Sequence, residues 1–130
     1  MGFNTRQVHA GVTPDPVTGS ILTPIYQSTT YVQPSVDEYM SKGFSYSRAG
    51  NPTVAALENK ITDLEGGVDT TCYSTGMAAV QAVLLSFLNA GDHLVVSDVA
   101  YGGTYRFCTP VPSRFGVVIT FADTWAPRSG

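Results

Sequence analysis

Charge is scarce in this chain. Only 13% of its 130 residues are charged, about half the usual ~25%. No basic stripe and no block of one sign occurs, and the net charge is −3. That balance excludes the electrostatic footprint of a nucleic-acid binder. The apolar fraction, 43%, is ordinary, so a surface this poor in charge implies that part of it is covered. Cysteine is scarce too. Cys72 and Cys108 stand far apart, without the spacing of a zinc site or a redox pair. They read as buried free thiols of a cytosolic protein rather than as a disulfide. His9 and His93 are isolated from each other and from the cysteines, so no metal site is expected.

Targeting and membrane signals are lacking as well. The start, Met1 to Arg6, has no apolar core of the signal-peptide kind. Arg6 stands where a myristoylation start requires Ser or Thr. The most apolar run, Met77 to Leu88, is too short for a bilayer and contains Gln81 and Ser86. The expectation is a soluble, cytoplasmic chain without a membrane partner. At this length it forms one domain at most.

What is present divides the chain in two. Residues 1–45 carry four prolines (Pro14, Pro16, Pro24, Pro34) and little helical periodicity. Ile25-Tyr26 and Thr30 to Val32 read as short extended pieces. A structureless stretch of that length is uncommon inside a compact domain. It reads as an arm that folds against something else, such as a second subunit. From residue 46 to residue 130 the pattern is that of an α/β domain. Asn51 is an N-cap, Pro52 the first helical residue, and Val54, Leu57, Ile61 and Leu64 form a helical stripe. Gly66-Gly67 ends that helix. Thr70 to Tyr73 reads as a short strand, and Ser74-Thr75-Gly76 turns into a second helix. His93 to Ser97 is a buried strand, a third helix begins near Thr104, and Val117 to Phe121 is another strand. Pro110 and Pro112 keep the third helix short or broken. Alternating strands and helices indicate a mostly parallel sheet with helices on both faces. Three strands are few for such a sheet, so the chain reads as a fold stopped midway.

Three segments carry candidate chemistry. In Tyr46-Ser47-Arg48 a phenol and a guanidinium sit two apart, on one side of an extended segment. That pairing suits a phosphate dianion, although taken alone the residues read better as a polar loop before a surface helix. Ser74-Thr75-Gly76-Met77 lies at a helix start, where backbone N–H groups and the helix dipole attract anions. It lacks the features of a Walker loop and of a dinucleotide fingerprint, and alone it reads as a plain βα turn. The segment Asp98 to Thr104, a loop as far as Gly103, follows a strand and falls on the sheet's carboxyl edge, where ligands of open α/β sheets bind. There Tyr101 can lie flat on a planar ligand or merely cap the core. Asp98 reads as a cap or turn residue.

Taken in order, these segments resemble the pyridoxal-phosphate-dependent enzymes of cysteine and methionine metabolism, the cystathionine and O-acylhomoserine enzymes. The matching elements are Thr5 to Gly11, Pro24 to Tyr31, Tyr46 to Thr53, Leu64 to Gly67, Ser74 to Ala78, Gly91 to His93, Tyr101 to Thr104 and Phe115-Gly116. The resemblance extends over residues 5 to about 123. It implies the first half of a fold-type I large domain preceded by an extended arm, with pyridoxal 5′-phosphate as cofactor. It further implies that Tyr46 and Arg48 reach the phosphate in a neighbouring subunit's site. Gly76 and Met77 would give backbone donors to the chain's own site. Tyr101 would stack on the pyridine and assist proton transfer. The implied substrate is a small sulfur-containing amino acid, undergoing elimination or replacement at its β or γ carbon. The implied assembly is a dimer of dimers, with residues 1–45 clasping the partner.

Against that pattern, the lysine that binds the cofactor covalently is missing. Lys42 and Lys60 are the chain's two lysines. Neither has the Ser-x-Thr-Lys context that the family places near the middle of a far longer chain. The acidic partner of the pyridine nitrogen and the arginine for the substrate carboxylate also lie downstream in the family. A truncated product, inactive alone, is therefore expected. The alternative is a non-catalytic chain that pairs with a full-length relative or has no independent role.

Overall fold

A computed structural model describes residues 2–39, 41 and 43–125. The chain forms two compact units, Met1–Cys72 and Tyr73–Gly130.

The first unit is organised by its second helix. Helix α1 spans Phe3–His9 and helix α2 spans Pro52–Glu65. The start of α2 follows the sequence closely. The Asn51 side chain accepts the Thr53 N–H, Pro52 opens the helix, and Gly66 closes it in the left-handed conformation. Helix α1 was not expected. Seven residues with no side-chain cap are too few to hold a helix by propensity. Contacts with α2 hold it instead. Arg6 pairs with the Asp63 carboxylate at 3.1 Å and donates to the Asp63 carbonyl. Lys60 Nζ donates to the Val8 carbonyl at 3.2 Å. Just beyond α1, Gly11 lies so close to α2 that a Cβ there would sit 2.6 Å from the Lys60 nitrogen.

Between the helices the chain is irregular but not loose. Thr30 and Tyr46 form an isolated antiparallel bridge. Tyr31 and Ser47 extend it through N–H bonds to the Ser45 and Thr29 carbonyls. Thr53 Oγ1 accepts the Tyr26 N–H at 2.9 Å and donates to the Pro24 carbonyl. Much of this segment's apolar surface is bare, with Val36 93% and Val17 89% exposed.

The second unit is the α/β part. Helix α3 spans Gly76–Phe87, strand β1 His93–Ser97, helix α4 Gly102–Cys108 and strand β2 Val118–Ala122. The two strands are parallel, in register His93 to Val118 through Ser97 to Ala122. Helix α4 and a 3-10 turn, Pro112–Phe115, make the crossover. Helix α4 begins at Gly102, two residues before the expected start, and ends before Pro110. Pro112 then opens the 3-10 turn. The small core contains Cys108, which is fully enclosed, and Val117. Tyr105 and Phe121 pack beside it with ring centroids 4.5 Å apart. Burial pushes the Cys108 thiol's pKa up. Cys72 is half-buried, and both thiols are free.

The strand expected at Thr70 to Tyr73 does not form. Its backbone is satisfied locally: the Cys72 N–H goes to the Glu58 carboxylate and the Thr70 N–H to its neighbour Asp69. A β-rich sequence becomes a strand only where another strand is available to pair with it. The described residues thus hold a two-stranded sheet.

Candidate functional site

The second unit gathers Gly76, Met77 and Tyr101. Thr75 caps α3, its hydroxyl oxygen accepting the Ala78 N–H at 3.1 Å. That leaves the N–H groups of Gly76 and Met77 without an intramolecular acceptor among the described residues. These are the donors that a helix start offers to an anion. A Cβ at Gly76 would meet nothing within 4 Å, so a ligand can approach its backbone freely. The loop after β1 brings Tyr101 to the same place. Thr75, Gly76, Met77, Val80, Tyr101 and Thr104 line a cavity of about 450 Å³. Tyr101 is 71% exposed. Asp98 is a turn residue whose N–H bonds to the Ala122 carbonyl and lengthens the ladder, while α4 has no side-chain cap.

The first unit brings Tyr46 and Arg48 together, but not through an extended strand. Only Tyr46 is bridged; residues 47–49 turn, and the Tyr46 carbonyl accepts from both Ala49 and Gly50. The turn folds Arg48 back so that its guanidinium donates to the Tyr46 hydroxyl at 2.7 Å. It also lies 5.2 Å from the centre of the Tyr46 ring. With the phenol oxygen accepting from Arg48, its own proton is free to be donated outward, beside the remaining guanidinium donors. The pair is therefore a compact cationic donor set suited to a phosphate.

A residue that the sequence reading treated only as a helix cap builds this presentation. Asn51 Nδ2 lies 2.9 Å from the Tyr26 carbonyl, 3.2 Å from the Tyr31 hydroxyl and 3.2 Å from Ser47 Oγ. Ser47 in turn donates to the Ser28 carbonyl. The signal was present in the Asn-Pro-Thr start, but two of the three partners, Tyr26 and Tyr31, lie 25 and 20 residues away.

Lys60 serves as a tether between helices, and Lys42 lies outside the described residues. No group of three or more His, Cys, Asp or Glu able to hold a metal occurs among the described residues. No described helix is long and apolar enough to cross a membrane.

A parallel α/β unit with a helix start and a tyrosine at one cavity has the layout of proteins that bind phosphate-bearing planar ligands. The chain belongs to the Cys/Met metabolism PLP-dependent enzyme family, whose model matches residues 4–129. Pyridoxal 5′-phosphate is that family's cofactor. The match runs past residue 123, where the resemblance had been expected to end; the tail carries no motif by which a single sequence could show it. Cystathionine gamma-lyase of Bacillus subtilis is 48% identical over 124 residues, 95% of this chain and 32% of that protein. Cystathionine gamma-synthase of Mycobacterium tuberculosis is 46% identical over 119 residues, 92% of this chain and 30% of that protein. The crystal structure of metB from Corynebacterium glutamicum superimposes with a TM-score of 0.91 at 45% identity, covering 97% of this chain and 32% of that one. This chain therefore spans about a third of the length of these relatives.

Proposed function

We propose that this chain carries part of the cofactor site of a cytoplasmic lyase or transferase of sulfur amino-acid metabolism, and that alone it is inactive. The observation that carries the reading is the convergence of Gly76, Met77 and Tyr101 on one cavity. The donor set fits the cofactor: free N–H groups for a phosphate and an exposed aromatic face for a pyridine ring. When bound, pyridoxal 5′-phosphate supplies an electron sink for elimination or replacement at the β or γ carbon of cystathionine or an O-acylhomoserine.

The chain's own residues would divide the remaining work. Gly76 and Met77 hold the phosphate through their N–H groups. Tyr101 covers the ring on one side, excludes water there, and holds a proton at its phenol oxygen beside the substrate amine. Tyr46 and Arg48 belong to the other unit of the chain and offer their donors to the phosphate in a neighbouring subunit's site. The exposed apolar side chains of residues 1–45 support an arm that clasps that neighbour in a dimer of dimers. Lys60 is occupied at Val8, and neither lysine has the sequence context of a cofactor-binding residue.

The test is an assay for C–S cleavage of cystathionine with pyridoxal 5′-phosphate present, on the chain alone and after mixing with a full-length relative. No turnover alone and a mixed oligomer after mixing are expected. Turnover by the isolated chain would overturn the inactive reading. No mixed oligomer would remove the arm's partner role.

A further inference from the structure

We propose that the Thr75 hydroxyl is a third donor to the cofactor's phosphate, beside the N–H groups of Gly76 and Met77. Thr75 is the N-cap of α3, with an extended backbone at φ −145° and ψ 151°. Its hydroxyl oxygen takes the Ala78 N–H at 3.1 Å. A hydroxyl engaged as an acceptor still has its own proton to give. No acceptor for that proton occurs among the described residues. Thr75 is exposed and lines the same cavity as Gly76, Met77 and Tyr101. The proton is therefore available to a ligand in that cavity.

The cavity's other threonine supplies the contrast. Thr104 directs its hydroxyl at Met77 Sδ, 4.0 Å away, so its proton is turned to α3. The cap also fixes where the Thr75 oxygen sits, against the first turn of α3. Three donors thus follow one another along the chain: the Thr75 hydroxyl, then the N–H groups of Gly76 and Met77. A phosphate monoester presents three terminal oxygens, and two backbone donors leave one of them without a contact from this set. Bonds to so charged an acceptor are stronger than neutral ones. Thr75 would therefore favour a ligand that carries the phosphate over the same ring without it. The inference rests on the reading of this cavity as the phosphate site of the chain's own subunit.

The experiment compares Thr75→Ser and Thr75→Gly in the full 130-residue chain. Glycine caps a helix nearly as well as threonine but has no hydroxyl, whereas serine keeps both functions. Affinities are measured for pyridoxal 5′-phosphate and for pyridoxal, which lacks the phosphate, with helicity as the check on α3. The wild type and Thr75→Ser are expected to prefer the phosphate-bearing ligand. Thr75→Gly is expected to keep its helicity, to bind pyridoxal as the wild type does, and to bind pyridoxal 5′-phosphate roughly tenfold more weakly. An unchanged pyridoxal 5′-phosphate affinity in Thr75→Gly, or an equal loss with both ligands, overturns the third donor and leaves Gly76 and Met77 in their role. A wild type that binds both ligands alike overturns the reading of the cavity, and the third donor with it. Should Thr75→Gly fail to fold, the wild type decides through NMR exchange of the Thr75 hydroxyl proton with water. Exchange slower with pyridoxal 5′-phosphate than with pyridoxal supports the donor, and equal exchange overturns it.

Discussion

The two units are held together by different physics. In Met1–Cys72 the described residues bury a single side chain, Ala10. Cohesion there comes from side chains bonded to distant backbone: Asn51 to Tyr26, Thr53 to Pro24, Ser47 to Ser28, Gln33 to Phe44. In Tyr73–Gly130 cohesion comes from a regular parallel ladder and a small apolar core around Cys108 and Val117. Side-chain bonds of the first kind contribute about 1 kcal/mol each and demand particular residues. Ladders and apolar contacts tolerate exchange of like for like. The unit that presents Tyr46 and Arg48 therefore depends on single polar residues, whereas the unit that presents Gly76, Met77 and Tyr101 depends on pattern.

Substitutions in each unit can break that contrast, with hydrogen exchange read unit by unit. Gly11→Ala is expected to have the largest effect. It combines a positive φ of 64° with a clash at 2.6 Å against the backbone of α2. A loss of roughly 3 kcal/mol is expected, with α1 released and the second unit's protection kept. Asn51→Ala removes the cap of α2 and the donor to Tyr26, Tyr31 and Ser47. It should cost about 2 kcal/mol, again confined to the first unit. Thr75→Ala is the converse, removing the cap of α3 for about 1 kcal/mol and loosening the second unit alone. If any of these spreads equally through both units, the contrast fails.

The smallest effect concerns pH. The Thr18 N–H, then the Thr18 hydroxyl, hold the Asp15 carboxyl below the ordinary carboxylate range. A lowered folded-state pKa gives stability that is present above the unfolded value of about 3.9. It is lost as pH falls through the lowered value. Asp15→Asn should therefore lower the first unit's stability slightly at neutral pH, leave it nearly unchanged at pH below the lowered value, and so flatten the acid limb of the curve. An unaltered acid limb in an acid titration of that variant would contradict this.

The same contrast explains what could be read from the sequence. Helices α2 and α3 and strands β1 and β2 follow from periodicity and caps, because each is specified within its own segment. Asn51 and Thr75 cap as their residue types dictate. Helix α1 was missed because its support comes from Asp63 and Lys60, more than fifty residues on. The strand at Thr70 to Tyr73 was expected because its residues favour strands, yet strand formation needs a partner that propensity does not supply. The early start of α4 was missed because Gly102-Gly103 looks like a loop, yet both glycines lie in the helix. Tyr46 and Arg48 do meet, but through a turn rather than through strand alternation.

The central proposal is that Gly76, Met77 and Tyr101, and in a neighbouring site Tyr46 and Arg48, contact a phosphate-bearing cofactor that neither Lys42 nor Lys60 binds covalently. The direct measurement is borohydride reduction of the chain with pyridoxal 5′-phosphate, followed by mass spectrometry of the modified peptides. The account predicts reversible, phosphate-dependent binding with no specific lysine adduct. A stoichiometric adduct on Lys42 or Lys60 would contradict it.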